Sequence, residues 1–312
     1  MASVEIVEVA PRDGLQNIAA FVPTESKLQL IHKLVDAGVT RMEIGSFVSP
    51  KAIPQMADMD EVVARLGPLP GLHKVALVPN GKGARRAIAA GIDELIFVIS
   101  MSDAHNMSNV RRPTAASIED LKATLAEVDP EARLTIRVGL ATAFHCPFAG
   151  TMDEDAVFRT IGEVAKIRGD IELTLADTTG MALPDHVGRM AKRALTAYPT
   201  TRWSFHGHDT AGFGIANTLA AYHAGIRSFD GAAGGLGGCP FAPGATGNIA
   251  SEDLVYMFER MGVATGIDLA KLLDAAKLAV SFAPQTMGSH VLAMPRDRAM
   301  AGGGPAEACA AA

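Results

Sequence analysis

The sequence predicts an α/β chain closed into one (β/α)8 TIM barrel with a short C-terminal helical extension. Short apolar, strand-like runs alternate eight times with longer amphipathic stretches, with no break in composition between them. The first strand-like run leads into Ala10-Pro11-Arg12-Asp13-Gly14, which lacks the glycine fingerprint of an open dinucleotide-binding sheet.

In chain order the strand-like runs are Val4–Val9, Arg41–Ile44, Lys74–Val78, Leu95–Ile99, Leu134–Leu140, Ile171–Leu175, Trp203–His208 and Ser228–Ala232. The helical patterns between them are Glu25–Ala37, Asp58–Leu66, Gly83–Ala90, Ser117–Val128, Asp153–Ile167, Asp185–Ala197 and Thr210–Ala224. Glu252–Met261 and Leu269–Phe282 add a closing helical pair. Residues 1–295 are thus expected to form one domain. From about Pro295 onward, Ala301-Gly-Gly-Gly-Pro305 and an alanine tail predict disorder over 296–312.

Composition excludes several function classes. The 312 residues are 48% hydrophobic and 20% charged, as in an ordinary globular chain. A net charge of −6 argues against a nucleic-acid partner, which would call for a basic excess. Three unevenly spread cysteines make no disulfide framework and fit a reducing compartment. Residues 1–10 pass straight into a strand-like run, so no signal or transit peptide is expected. No apolar run approaches the roughly 20 residues that cross a bilayer. A cytoplasmic enzyme with no membrane partner is the expectation.

In such barrels the carboxyl ends of the strands carry the chemistry. Strand 1 ends in Arg12 and Asp13, strand 2 carries Glu43 with Ser46 beyond it, strand 3 ends at Asn80 and strand 6 at Asp177. Strand 7 ends in Arg202-Trp-Ser-Phe-His206-Gly-His208-Asp209, where two imidazoles spaced i, i+2 share one face of the strand. Asn248 follows strand 8. Asp13, His206, His208 and the amide oxygen of Asn248 would make a mixed oxygen and nitrogen site without thiolate, suited to Mg²⁺ or Mn²⁺. Arg12 would be a fixed cation beside it, able to stabilise an enolate or carboxylate oxygen. Glu43 and Asp177 could orient Arg12 or move protons. Cys239 lies in a Gly-rich, Pro-flanked loop, a setting that favours an acid/base role over core packing. Cys146, after strand 5, is accounted for equally by packing or by a place at the barrel mouth. The cations of Asn80-Gly-Lys-Gly-Ala-Arg85-Arg86 read as a solvated face.

These segments also carry a resemblance. Ala10-Pro-Arg12-Asp13-Gly-Leu-Gln16-Asn17 resembles the opening signature of the DRE-TIM metallolyases. With Ser46-Phe-Val-Ser-Pro-Lys51, Asp177-Thr178, His206-Gly-His208-Asp-Thr and Gly235-Leu-Gly-Gly-Cys239-Pro-Phe-Ala-Pro-Gly-Ala-Thr-Gly-Asn248, the chain is similar to the 3-hydroxy-3-methylglutaryl-CoA lyases from about residue 4 to 280. The resemblance implies a divalent cation on Asp13, His206, His208 and Asn248. It implies substrate contacts from Arg12, Gln16 and Thr178, and catalysis by Cys239, Arg12, His206, Glu43 and Asp177. The implied substrate is an acyl-CoA cleaved by a retro-Claisen reaction to acetyl-CoA and acetoacetate, in leucine degradation, by a homodimer. Ile44-Gly45, Ser100–Asn106 and the stretch around Ala283-Pro284-Gln285 depart from that pattern. A lyase for a related hydroxyacyl-CoA such as citramalyl-CoA, or a condensing relative, is the alternative.

Overall fold

The computed structural model describes residues 2–128, 134–238, 247–284 and 288–301. Its centre is a closed parallel barrel whose eight strands neighbour one another in chain order. They are β1 (Glu5–Glu8), β2 (Arg41–Ser46), β3 (His73–Leu77), β4 (Glu94–Ser100), β5 (Thr135–Ala141), β6 (Glu172–Asp177), β7 (Trp203–Gly207) and β8 (Ser228–Gly231). Closure is made by β8 against β1, in register from Glu5 with Ser228 to Glu8 with Gly231. All eight predicted strands are present, with ends that agree to within two residues.

Around the barrel run α1 (Thr24–Asp36), α2 (Met59–Leu66), α3 (Gly81–Ala89), α4 (Asp103–Val110), α5 (Thr114–Glu127), α6 (Glu154–Ala165), α7 (Pro184–Ala197), α8 (Gly214–Ala224) and α9 (Ser251–Arg260). The extension is α10 (Leu269–Ser281), α11 (His290–Ala293) and α12 (Arg296–Met300). Among the described residues no helix is long and apolar enough to cross a membrane.

Strand alternation divides the interior into two regions. Ile136, Val138 and Leu140 of β5, Leu173 and Leu175 of β6, and Phe205 of β7 are buried in the apolar core. The intervening residues face the barrel axis, and many are charged. Arg41 on β2 reaches Glu94 on β4 (2.6 Å) and Glu172 on β6 (3.0 Å). Arg137 on β5 reaches Asp230 on β8 at 2.6 Å. Pairs spanning non-adjacent strands can form only inside the barrel. Where β2 passes β3 the register shifts between Glu43 and Gly45. A Cβ at Gly45 would lie 2.0 Å from Met59 Sδ, so the missing side chain there admits α2.

Two expectations need correction. The helix expected from Thr210 begins at Gly214, because Asp209 Oδ1 accepts the Gly214 N–H at 2.7 Å and the intervening residues form a turn. The disorder expected from residue 296 does not hold for Arg296–Met300, which is helical. Arg296 pairs there with Asp274, and Ala299 is buried against Leu273 and Val291; residues 302–312 lie outside the described residues. The run after Asn80 is the solvated face expected of it, at a capped helix start: Asn80 accepts from Gly83 N, and on the surface Arg85 pairs with Glu127 and Arg86 with Asp60. Helix α4 and a small hairpin pairing His145–Cys146 with Gly150–Thr151 had no periodic signature to reveal them.

Two carboxyls beneath the barrel mouth carry a pH consequence. Burial pushes Glu252 up to about 8 and Glu8 up to about 7, against the backbone N–H groups of Gly234, Ala10 and Ala233 that they accept. From the ordinary carboxyl value of 4.5 up to those values, the unfolded chain releases protons that the folded chain keeps. Stability therefore falls as pH rises through that window. Thermal melting followed from pH 5 to 8 should show this falling contribution to Tm in the wild type, and Glu252→Gln should flatten the decline. A wild-type slope unchanged in the variant would contradict this account.

Candidate active site

The polar residues at the strand ends meet at the carboxyl end of the barrel. Directly after β1, Ala10–Gly14 forms one π-helical turn in which the N–H groups of Asp13 and Gly14 both donate to Val9 O, at 2.8 and 3.2 Å. Such widened turns recur at functional sites because they re-aim side chains that an α-helix would stagger. Here Arg12 and Asp13 are both buried, and the guanidinium bonds to both Asp13 Oδ1 and Glu43 Oε2. Burial disfavours the charge on Arg12, but Glu43 and Asp13 outweigh it and raise its pKa above the ordinary arginine value.

Asp13 is fixed from both sides. Gln16 Nε2 donates to Oδ1 at 2.7 Å, and Asn248 Nδ2 donates to Oδ2 at 2.8 Å. Burial would raise its pKa; Arg12, His206, His208 and the Asn248 hydrogen bond overcome this and hold it at about 2. His208 Nε2 stands 3.9 Å from Asp13 Oδ2, and the rings of His206 and His208 are 5.2 Å apart. Burial and the neighbouring His206 push His208 down to about 4, so it is a neutral electron-pair donor at neutral pH. Burial works against the charge on His206 too, but Asp230 and then Asp13 reverse the balance and raise its pKa.

The chain closes the set through backbone pairing. His208 and Asn248 form an antiparallel bridge, which brings the carboxamide beside the imidazole. Asn248 Nδ2 spends its hydrogens on Asp13 and on Leu236 O, leaving buried Oδ1 without a hydrogen-bond partner. Gly237, at φ +116°, makes room for it: a Cβ there would meet Nδ2 at 2.5 Å.

A metal ion fits these residues. Ligand atoms of Asp13, His206 and His208 lie within 4.8 Å of one another, and the unpartnered Asn248 oxygen is a buried polar atom whose desolvation is otherwise uncompensated. A carboxylate, neutral imidazole and an amide oxygen suit a hard or borderline divalent cation.

Not every predicted residue joins this group in the same way. Glu43, fully buried, is taken up by Arg12. Asp177 does not touch Arg12. Its two oxygens accept the N–H groups of Met181 and Ala182, each at 3.1 Å, and burial still pushes it up to about 6. The His206 charge acts on Asp177 as a smaller, opposing influence. Thr178 Oγ1 accepts the Thr142 N–H at 2.9 Å. Cys146 is buried with its thiol on Ser102 Oγ at 3.1 Å, which favours packing as its role. Cys239, Gln285 and Cys309 lie outside the described residues.

Sequence reasoning missed two residues here. Thr142, at the end of β5, is β-branched yet sits at φ +56°, a conformation that costs on the order of 1–3 kcal/mol and persists only where the surroundings impose it. Its flanking Ala141 and Ala143 gave no signal. Asp230, inside an unremarkable Phe229-Asp230-Gly231, hydrogen-bonds His206 Nδ1 at 3.0 Å.

Comparison with known proteins gives one consistent result. A family described as HMGL-like matches residues 3–279. The (R)-citramalyl-CoA lyase of Chloroflexus aurantiacus is 43% identical over 88% of this chain and 90% of its own length. The hydroxymethylglutaryl-CoA lyase YngG of Bacillus subtilis is 42% identical, over 88% of this chain and 91% of its own. Among solved structures, the Bacillus subtilis HMG-CoA lyase superposes with a TM-score of 0.89 at 39% identity, covering 94% of this chain and 97% of that one. An HMG-CoA lyase from Acinetobacter baumannii, in complex with coenzyme A and 3-methylmalate, gives 0.86 at 42% identity over 93% and 94%.

The geometry predicts the order of damage at the cation site. Since outer partners of a ligand typically cost 10–100-fold in metal affinity, removing the ligand in His208→Ala should weaken Mn²⁺ binding by about 100-fold or more. Titration followed by electron paramagnetic resonance of free Mn²⁺ measures this, and an unchanged affinity would remove His208 from the site.

Proposed function

The chain belongs to the HMGL-like family of lyases, and on that footing we propose that it cleaves 3-hydroxy-3-methylglutaryl-CoA to acetyl-CoA and acetoacetate. The observation that carries this reading is the convergence of Asp13, His206, His208 and Asn248 beside the Arg12 guanidinium at one end of a closed barrel. We assign the divalent cation, Mg²⁺ or Mn²⁺, to those four residues. When bound, it supplies Lewis-acid polarisation of the substrate's hydroxyl and carbonyl oxygens.

The protein's own residues do the rest. The C3 hydroxyl loses its proton to a base; Asp177, lifted to about 6 and close enough to feel the charge of His206, fills that role, since both His206 nitrogens are engaged, by the cation and by Asp230. The C2–C3 bond then breaks, C3 becomes the ketone of acetoacetate, and the bonding pair moves onto the thioester as an enolate. Arg12, held charged by Glu43 and Asp13, stabilises the enolate oxygen. Protonation at C2 by Cys239 completes acetyl-CoA. Gln16 and Thr178 join Arg12 as substrate contacts, Gln16 also steadying Asp13. We place the enzyme in the cytoplasm, as a homodimer, at a leucine-degrading step.

A second reading has its own support in the 43% identity to a citramalyl-CoA lyase. The two substrates differ by one methylene in the acid arm, and the same steps would then release pyruvate in place of acetoacetate. Purified protein with Mn²⁺ should cleave 3-hydroxy-3-methylglutaryl-CoA with the higher kcat/KM; a higher value on citramalyl-CoA transfers the assignment, and no acetyl-CoA from either refutes both. In the same assay Arg12→Gln should lower kcat by about 10²–10³-fold, the usual loss for a stabiliser of developing negative charge. Cys239→Ala should lower kcat by orders of magnitude while Mn²⁺ affinity holds; full activity would exclude the thiol.

A further inference from the structure

Asp230, on β8, faces the barrel axis and is almost wholly buried. Its Oδ2 lies 3.0 Å from His206 Nδ1, and its Oδ1 accepts Arg137 Nη2 at 2.6 Å. Arg137 is completely buried, and its Nε donates to Thr174 Oγ1 at 2.7 Å. Thr174 in turn shares a 2.8 Å hydrogen bond with Ser204, two residues before His206.

The donor and acceptor inventory decides the direction of this chain. Arginine only donates, so Asp230 Oδ1 is an acceptor, and an ionised carboxylate offers only acceptors at its other oxygen. The partner at Oδ2 must therefore be an N–H, which assigns the proton of neutral His206 to Nδ1 and the lone pair to Nε2. His208 has no such device: its Nδ1 is buried without a hydrogen-bond partner.

We propose that Asp230 is the positioning residue of His206, fixing its tautomer and ring direction so that Nε2 is presented to the cation site, with Arg137 as the buried anchor that holds Asp230 in place. The proposal rests on His206 acting as a metal ligand. It makes the two imidazoles unequal, one preset by a carboxylate and the other oriented by packing alone. In metal sites an outer carboxylate of this kind sets ligand basicity as well as orientation.

Asp230→Asn tests it with little change of shape. Arg137 will claim the amide oxygen, which turns the amide N–H groups toward His206 Nδ1, moves the ring proton to Nε2 and blocks the ligand atom. Mn²⁺ affinity, read from free-ion paramagnetic resonance, should fall 10–100-fold while the metal-free circular dichroism spectrum stays that of the wild type. A folded variant that binds Mn²⁺ within twofold of wild type overturns the proposal. Should the variant not fold, wild-type protein still decides: ¹⁵N-histidine long-range proton–nitrogen spectra of the metal-free protein at alkaline pH, with His206 assigned by difference from His206→Asn. An Nδ1–H tautomer supports the assignment and an Nε2–H tautomer overturns it. Absence of Mn²⁺ binding by the wild type would count against the metal reading alone, because the tautomer is read without metal.

Discussion

Charge pairing along the barrel axis is the constraint on which the rest of this structure depends. Removing one partner of a buried ion pair typically costs on the order of 3–5 kcal/mol, since the charge left behind has neither water nor counterion. Here pairs follow one another from the amino to the carboxyl end of the barrel. Arg41 is held by Glu94 and Glu172, Arg137 by Asp230, and Arg12 by Glu43 and Asp13. These acids and bases come from β2, β4, β5, β6, β8 and the turn after β1, so satisfying them fixes the strands against one another. The active-site residues are the last links of this chain and inherit its rigidity.

That inheritance explains how the site holds like and unlike charges so close together. Asp13 stays ionised at about 2 because Arg12 and the two imidazoles outweigh the cost of burying it. His208 stays neutral because the same burial, with His206 beside it, finds too little compensation. Asp177 receives only backbone N–H groups and is lifted to about 6, into the range where a carboxyl can exchange protons near neutrality. Three titratable groups within one mouth are thus driven to three different states by what each one touches. Local departures from regular geometry serve this arrangement: the widened turn at Ala10–Gly14, the positive φ of Thr142 and the space left by Gly237.

Much of this was legible in the amino-acid order. Strands such as Leu134–Leu140 and Ile171–Leu175 are short and apolar enough to read, and Arg12, Asp13, His206 and His208 stand at strand ends where a barrel gathers its chemistry. The i, i+2 spacing of the histidines places them on one face by strand geometry alone. Helix starts were less legible. A single hydrogen bond from the Gly214 N–H to the Asp209 carboxylate moved the beginning of α8 by four residues, and no periodicity registers such a bond.

Sequence by itself determined the repeat of strand and helix, the identity of the residues at the mouth and the donor chemistry they offer a cation. Only the tertiary structure decided which of them are partners. That Glu43 serves Arg12 while Asp177 binds its own loop, or that Arg137 in mid-strand reaches across the barrel to Asp230, follows from closure of the sheet. The reason is physical: alternation tells each side chain which face it takes, but the distance between residues on non-adjacent strands exists only once the barrel has closed.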